Sequence, residues 1–353
     1  MGGVCGVHGL ILRGHWLAVL NRIDTLGVLV LHECCLTYTL HMSCDAPAHN
    51  FAPLQTWLPP WGLSACVRAA IARSAVGLNA SQRWGHYPAG PICAIACMFE
   101  GSAEVLDAST PFDPQAPRQS LPAITVTGPH SSPRSVLYGP QADGVMVLFY
   151  PDAWWALTGV SPQDLSNQIV DARSVLPAAL LAACQRMREG GHTDSRVHTF
   201  FEDLLPLWND REVDRFTPAG PQRNWAQAFA PWMASLAMRA AGTGWGRSLR
   251  QSERRIKQWT GWSLRKLQGS VRGEAAFFAV MEAMLEDRVD WAQIALDNGF
   301  SDQSHFIRET RRITGFSPEA LRHGFNTDEA FWVYRAWAQL AGFDVPTTAN
   351  LAL

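Results

Sequence analysis

The sequence predicts an α+β protein, in which a small mixed β/α N-terminal domain precedes an all-α C-terminal domain with two helix-turn-helix motifs joined by a long helix. Three observations predict this class. Of the 353 residues, 47% are hydrophobic and 17% are charged, a mix typical of packed globular domains. Short apolar runs separated by turn residues dominate residues 51–150. Helical patterns dominate the remainder, where one five-residue pattern occurs twice.

The first 50 residues carry apolar patches without a clean period. Their longest apolar run, residues 26–31, is far too short to span a bilayer. A secretory signal would need a basic start followed by an unbroken apolar run, and neither is present. We therefore expect residues 1–50 to be an unstructured upstream extension. Our hypothesis is that translation begins at Met42.

Residues 51–208 are predicted to form the N-terminal domain. Five apolar runs are predicted strands: residues 92–99, 103–106, 124–126, 135–138 and 145–150. Glu100, Gly101 and Ser102 separate the first two runs and predict a hairpin turn. Helical patterns follow at residues 178–188 and 197–208. Residues 209–225 are charged and contain two prolines, which indicates an interdomain linker.

The composition argues against an enzyme, a metal protein and a disulfide-rich scaffold. Eight cysteines in a chain of this length give neither a disulfide framework nor a Cys-x-x-Cys pair, so we expect a reduced, cytoplasmic protein without a metal. Cys66, Cys93, Cys97 and Cys184 lie in apolar runs without neighbours that would activate a thiolate. No phosphate loop or nucleophile elbow occurs. Catalysis is therefore not expected, and neither is any cofactor.

A repeated pattern carries most of the information. Residues 259–263 read WTGWS, and residues 313–317 read ITGFS, at an offset of 54 residues. The same offset places Arg254 on Arg308 and Lys257 on Arg311. Two copies are too few for a solenoid, so they indicate two copies of one supersecondary motif.

The second copy predicts a helix-turn-helix. Asp290 is suited to cap a short helix, and Gly299 is suited to end it in the left-handed conformation. Ser301 or Asp302 then caps a second helix that runs to about Thr314. Its inward face is predicted to contain Phe306, Thr310 and Ile313, and its outward face Gln303, Ser304, Ile307, Arg308 and Arg311.

The first copy predicts the same second helix. Ser248 is its expected cap, with Ser252, Ile256 and Trp259 facing inward. The predicted outward residues are Arg250, Glu253, Arg254 and Lys257. Residues 264–285 indicate one long helix between the motifs.

The chain resembles the AraC/XylS family of bacterial transcription regulators over roughly residues 230–325. The matching residues are Ala295, Gly299, Phe300, Ser304, His305, Phe306, Arg308 and residues 314–318. The resemblance implies a DNA-binding domain of seven helices, here at residues 226–325, whose two recognition helices enter successive major-groove segments on one face of the duplex. It also implies that the outward residues of both helices touch double-stranded DNA. Residues 151–160 are similar to the end of an N-terminal domain that some of these regulators carry.

The outward side chains have separable expected roles. Arginine can bind guanine with two parallel hydrogen bonds and glutamine can do so with adenine, which makes Arg250, Arg254 and Arg308 candidate guanine readers and Gln303 a candidate adenine reader. Alternatively, each arginine holds a phosphate or lies on the surface. Lys257 and Arg311 suit phosphate contacts, which position the protein without reading sequence. Glu253 could accept from cytosine or pair with Lys257, and His305 is expected to pack or to contact phosphate.

The sequence does not decide between two kinds of partner for the first domain. It could sense a small-molecule effector, or it could bind a protein partner or promote oligomerisation. RNA polymerase and a second copy of the chain are further candidate partners, and no membrane partner is expected. Residues 326–345 predict a C-terminal helix with an aromatic face, which packs on the DNA-binding domain or, alternatively, forms a dimer contact.

Overall fold

The computed structural model describes residues 51–209, 228–242, 249–285 and 288–345. The predicted extension at residues 1–50, with its Met42 start, lies outside these ranges, and so does almost all of the predicted linker. The α+β class with a β-rich first part and a helical second part is confirmed. None of the described helices is long and apolar enough to cross a membrane.

Among the described residues, ten strands form two antiparallel sheets. They are β1 (Leu54–Trp57), β2 (Val67–Ser74), β3 (Trp84–Tyr87), β4 (Cys93–Glu100), β5 (Ala103–Leu106), β6 (Arg118–Ser120), β7 (Ile124–Thr127), β8 (Arg134–Tyr138), β9 (Asp143–Phe149) and β10 (Ile169–Asp171). The six-stranded sheet has the order β1-β2-β9-β4-β7-β10, and the four-stranded sheet has the order β3-β8-β5-β6.

The alternation of apolar residues along the strands decides what each face of the large sheet packs against. Ile71, Ala94 and Leu148 pack towards Tyr87 and Val136 of the small sheet, so the two sheets form a sandwich. The other face packs on three helices: α1 (Pro151–Thr158), α2 (Ala178–Glu189) and α3 (Thr193–Asn209). The large sheet is therefore buried on both faces.

The predicted hairpin at residues 100–102 is wrong. β4 belongs to the large sheet and β5 to the small sheet, so the turn passes between the two layers. Gly101 has a φ of 75° and lies so close to the backbone of Ala142 that a Cβ atom would be 2.6 Å from it. The glycine therefore marks a crossing between sheets, which looks the same as a hairpin turn in the sequence.

In the described ranges from residue 228 onward, seven α-helices follow. They are α4 (Phe229–Gly242), α5 (Leu249–Thr260), α6 (Leu264–Leu285), α7 (Trp291–Asp297), α8 (Gln303–Thr314), α9 (Pro318–Thr327) and α10 (Trp332–Leu340). The aromatic face predicted near the C-terminus belongs to α10. It packs on α6 and α9 through Tyr334 and on the strands of the sandwich through Trp332 and Val333. This last helix therefore joins both parts of the molecule.

Candidate DNA-binding surface

The second motif has the geometry that the sequence predicts. Asp290 caps α7 by accepting from the backbone N–H groups of Ala292 and Gln293. Gly299 has a φ of 75°, and the Asp302 carboxylate caps α8 at 2.7 Å from the N–H of His305. Phe306 is 3% exposed. α7, a glycine turn and α8 therefore form a helix-turn-helix.

The first motif consists of α4 and α5. Ile256 is 2% exposed on the inner side of α5. The Ser252 hydroxyl, also on the inner side, donates to the carbonyl of Ala240 in α4 at 3.2 Å. A serine on this face therefore still joins the two helices, through a hydrogen bond instead of apolar packing. The predicted cap, Ser248, lies outside the described residues.

The repeated pattern forms the same hydrogen-bonded helix C-terminus in both motifs. The Thr260 hydroxyl lies 2.7 Å from the carbonyl of Ile256 and 3.1 Å from the N–H of Trp262. The Thr314 hydroxyl makes the same two contacts one motif later, at 2.8 Å and 3.0 Å. The next residue in each copy is a glycine in the left-handed conformation, with φ values of 73° and 84°. Both recognition helices therefore end with the same geometry.

The long helix α6 connects the two motifs. Its 22 residues correspond to a length of about 33 Å. One turn of B-DNA measures about 34–36 Å, so the connector has the dimension that two adjacent major-groove segments require. Leu267 and Ala276 are fully buried along it.

The predicted DNA-contacting residues occupy the outer faces of α5 and α8. Eight of them are exposed: Arg250, Glu253, Arg254, Lys257, Gln303, Ser304, Arg308 and Arg311. The remaining one, His305, is half-buried. Its ring lies 5.4 Å from the ring of Phe300, and its Nδ1 atom lies 3.3 Å from the N–H of Ser301. The structure thus gives His305 a packing position at the start of α8.

Sequence reasoning missed how closely the first domain holds both motifs. The backbone N–H of Ala89 donates to the carbonyl of Ile313 near the end of α8, at 2.7 Å. Gly315 packs against the ring of Phe112, and Gly261 packs against the backbone of Pro162. No local pattern indicates these contacts, because they join segments that are far apart in the sequence.

The first motif is also fixed by a carboxylate of the N-terminal domain. Asp152 of α1 accepts from the indole N–H of Trp232 at 2.8 Å and forms an ion pair with Arg239, both on α4. Trp232 stacks on Tyr150 with ring centroids 5.4 Å apart. α4 is therefore held by charge and by aromatic contact.

A buried ion pair holds the long helix. Glu274 of α6 pairs with Arg68 of β2, and the two side chains are 7% and 2% exposed. The Arg68 guanidinium also lies 4.5 Å from the ring centroid of Phe229. Burial raises the pKa of Glu274, and the positive charge of Arg68 opposes that rise.

A cavity of about 120 Å³ lies between the sandwich and the second motif. Tyr87, Ala94 and Leu148 line it from the strands. Its other walls come from α6, α8 and α9, among them Phe277 and Ile313. The cavity therefore reaches the inner side of the second recognition helix.

Cys66, Cys93, Cys97 and Cys184 are free and buried, and burial raises the pKa of Cys66 and Cys93. Among the residues that the structure describes, no group of three or more His, Cys, Asp or Glu side chains could hold a metal ion.

Comparison with known proteins identifies one part of the chain. Residues 244–324 match a family model described as a helix-turn-helix domain, of the AraC type. No curated protein sequence matches the chain. The matched segment contains α5 to α8 and most of α9, and so it includes both exposed basic faces described above.

Solved structures of ToxT from Vibrio cholerae are similar to the chain. The apo form of a variant from strain SCE256 is 11% identical, with a TM-score of 0.34 over 71% of this chain and 94% of that one. ToxT from strain O395 is 13% identical, with a TM-score of 0.31 over 75% and 95%. A wild-type ToxT structure with a bound unsaturated fatty acid is 12% identical, with a TM-score of 0.28 over 67% and 92%.

Proposed function

For this DNA-binding transcription regulator, whose residues 244–324 form an AraC-type helix-turn-helix domain, we propose that α5 and α8 enter successive major-groove segments of promoter DNA. One observation carries the proposal. The outward residues predicted from the repeat are exposed on two helices that end with the same geometry and are joined by a connector of about 33 Å. In this arrangement the basic faces of α5 and α8 would contact phosphates and base edges of the same duplex.

Individual roles follow from side-chain chemistry. We propose that Arg250, Arg254 and Arg308 read guanine and that Gln303 reads adenine, because these side chains can form two parallel hydrogen bonds with those bases. Lys257 and Arg311 bind phosphates. Three further residues complete the surface: Glu253, Ser304 and His305. His305 acts by fixing the start of α8 through its contacts with Phe300 and Ser301.

Substitution at equivalent positions tests this assignment. Arg308→Ala should cost about 1–3 kcal/mol at the specific site and relax the preference at one base pair. Lys257→Ala should weaken binding to all sequences alike and lower the salt slope by about one. Arg173→Ala, which removes an exposed charge in the first domain, is the control. Equal losses on specific and random DNA for Arg308→Ala would defeat the base-reading role.

We further propose that the cavity beside α8 takes a small-molecule effector. It is lined mostly by apolar side chains with a few polar ones, as ligand sites commonly are. Its contact with Phe306 and Ile313 would allow an occupant to act on the second recognition helix. A protein partner for the first domain is the alternative. Binding of small molecules to the purified protein separates the two.

We propose that the protein acts in the cytoplasm, where promoter DNA is accessible. We also propose that it binds DNA and catalyses no reaction. The burial of the described thiols supports this proposal. RNA polymerase and a second copy of the chain remain proposed partners at the promoter. Sedimentation of the protein alone, and then with promoter DNA and polymerase, tests each of them.

A further inference from the structure

One apolar residue, Ile307, lies within the polar outer face of α8. Gln303 and Ser304 precede it by one helical turn, and Arg311 follows it by one turn. These three neighbours are exposed, and Ile307 is half-buried. The isoleucine is therefore part of the surface that we propose enters the major groove.

The packing of α8 does not account for an isoleucine at this position. Phe306 belongs to a buried cluster formed mainly by α6 to α10. Thr310 and Ile313 line the cavity behind the helix. Among the described residues, neither the three buried clusters, nor the apolar side chains packed against them, nor the cavity lining includes Ile307. Its apolar surface is therefore available to a partner in the groove.

An apolar side chain in the major groove favours one base over the other three. Thymine presents its C5 methyl group there, whereas the edges of the other bases present hydrogen-bond donors or acceptors at most positions. Contact between Ile307 and the methyl group removes apolar surface from water, which is favourable. Contact with a polar base edge would instead displace water from a donor or acceptor without replacing its hydrogen bond. The isoleucine therefore favours thymine and disfavours polar base edges.

The repeat gives Ile307 a counterpart of different chemistry. The offset of 54 residues places Glu253 of α5 at the equivalent position, next to Arg254 as Ile307 is next to Arg308. Glu253 is exposed on the outer face of α5. A carboxylate can accept a hydrogen bond from cytosine, but it offers no apolar surface to a thymine methyl group. The two recognition helices therefore carry equivalent arginines beside residues that suit different bases.

We infer that Ile307 reads thymine through its C5 methyl group and is a specificity-determining residue of α8. This inference rests on the proposed entry of α8 into the major groove, and it adds a base contact that uses no hydrogen bond. It also means that the two DNA segments differ in sequence at the equivalent base pair, because α5 presents Glu253 there. The methyl contact should leave the salt dependence of binding unchanged, because an isoleucine neutralises no phosphate.

Replacement of single thymines by uracil in the promoter tests the inference, because uracil pairs as thymine does and lacks only the methyl group. Fluorescence anisotropy with the full chain measures the affinity for each DNA. The wild type should lose about threefold to fivefold in affinity at one or two thymines of the segment that α8 contacts, as expected for one methyl group removed from water. Ile307→Ala should bind thymine DNA more weakly by at least that factor, with an unchanged salt slope, and should show no further loss at those uracils.

The matched control is Leu296→Ala, which truncates an exposed apolar side chain on α7, outside both recognition helices. It should respond to uracil as the wild type does. If Ile307→Ala does not fold, Ile307→Val replaces it and should show a smaller response to uracil than the wild type.

Two results would overturn the inference while leaving the proposed function intact. The first is a wild type that prefers its promoter and binds every uracil-substituted DNA unchanged. The second is an Ile307→Ala variant that responds to uracil as strongly as the wild type, because the truncated side chain would then contact the sugar or another part of the DNA. A wild type without any preference for the promoter over scrambled DNA would instead contradict the proposed function, and the inference would fall with it.

Discussion

At the scale of residues, buried ionisable groups set how the protein responds to pH. His130 is 8% exposed, and its Nδ1 atom lies 2.8 Å from the carbonyl of Gly128. Burial lowers the pKa of His130 to about 3, and the positive charge of Arg134 acts in the same direction. His86, which lies among Phe112, Phe316 and Phe331, has its pKa lowered by burial to about 4. Both histidines are therefore neutral in the folded protein.

The neutral state of His130 predicts a loss of stability in mild acid. Below pH 6.5 the unfolded chain binds a proton at this histidine and the folded chain does not, so the free energy of unfolding falls as the pH falls. The loss from His130 should reach about 2 kcal/mol at pH 5. His130→Gln should therefore lose less stability than the wild type between pH 7 and pH 5, as measured by urea unfolding. The exposed His198→Gln is the control, and parallel profiles for all three proteins would contradict the prediction.

For the candidate site, the sequence predicts the outward-facing individual residues best. Arg254 and Arg308 were matched through the repeat, and both are exposed at corresponding places on their helices. The apolar period places Phe306 and Ile256 inside, which fixes the outward face of each helix.

At the scale of elements, the paired threonine and glycine decide where each recognition helix ends. The short pattern predicts this end because all the contacts of the helix end lie within seven residues, 256–262 in the first copy and 310–316 in the second. The strands show the opposite case. The turn at Gly101 gives the same local pattern as a hairpin, and only packing against Ala142 sends the chain into the second sheet.

Substitution of Gly315 tests whether the left-handed conformation and close packing at the end of α8 contribute to stability. Its φ of 84° makes an alanine strained by about 1–2 kcal/mol, and the new Cβ atom would lie 2.1 Å from the ring of Phe112. Gly315→Ala should therefore cost more stability than Gly159→Ala, which has a φ of 73° and open space around it. Thermal unfolding of both variants checks this difference.

A double-mutant cycle with Phe112→Ala identifies the origin of the excess. If the steric contact is responsible, the cost of Gly315→Ala should fall towards that of Gly159→Ala once Phe112 is truncated. Equal costs for the two glycines in the wild-type background would show that the Phe112 contact is unimportant.

At the scale of the whole molecule, buried ion pairs join the DNA-binding helices to the sandwich. Arg73 of β2 pairs with Glu329, which also pairs with Arg335 of α10. The ion pair between Arg68 of β2 and Glu274 of α6 likewise joins the long helix to the sandwich. The sequence does not indicate these pairs, because single buried charges have no periodic pattern and their partners lie 206 and 256 residues away.

The Arg68–Glu274 pair predicts a strong asymmetry between single and double substitutions. Glu274→Ala should destabilise the protein by about 3–5 kcal/mol, because it removes the carboxylate that pairs with the buried Arg68 guanidinium. Replacing both residues, as Arg68→Met with Glu274→Leu, should cost far less, because no charge then remains buried. Chemical unfolding measures both. A double variant as unstable as the single variant would contradict this explanation.

The most direct test of the central claim is binding of the purified protein to its own promoter region beside scrambled DNA across a salt series. A protein that reads sequence with α5 and α8 should prefer the promoter by about a thousandfold or more. The protected bases should then fall in two adjacent major-groove segments on one face of the duplex. Weak, equal binding to both DNAs with a steep salt dependence would contradict the claim, because it would mean that the basic helices contact phosphate alone.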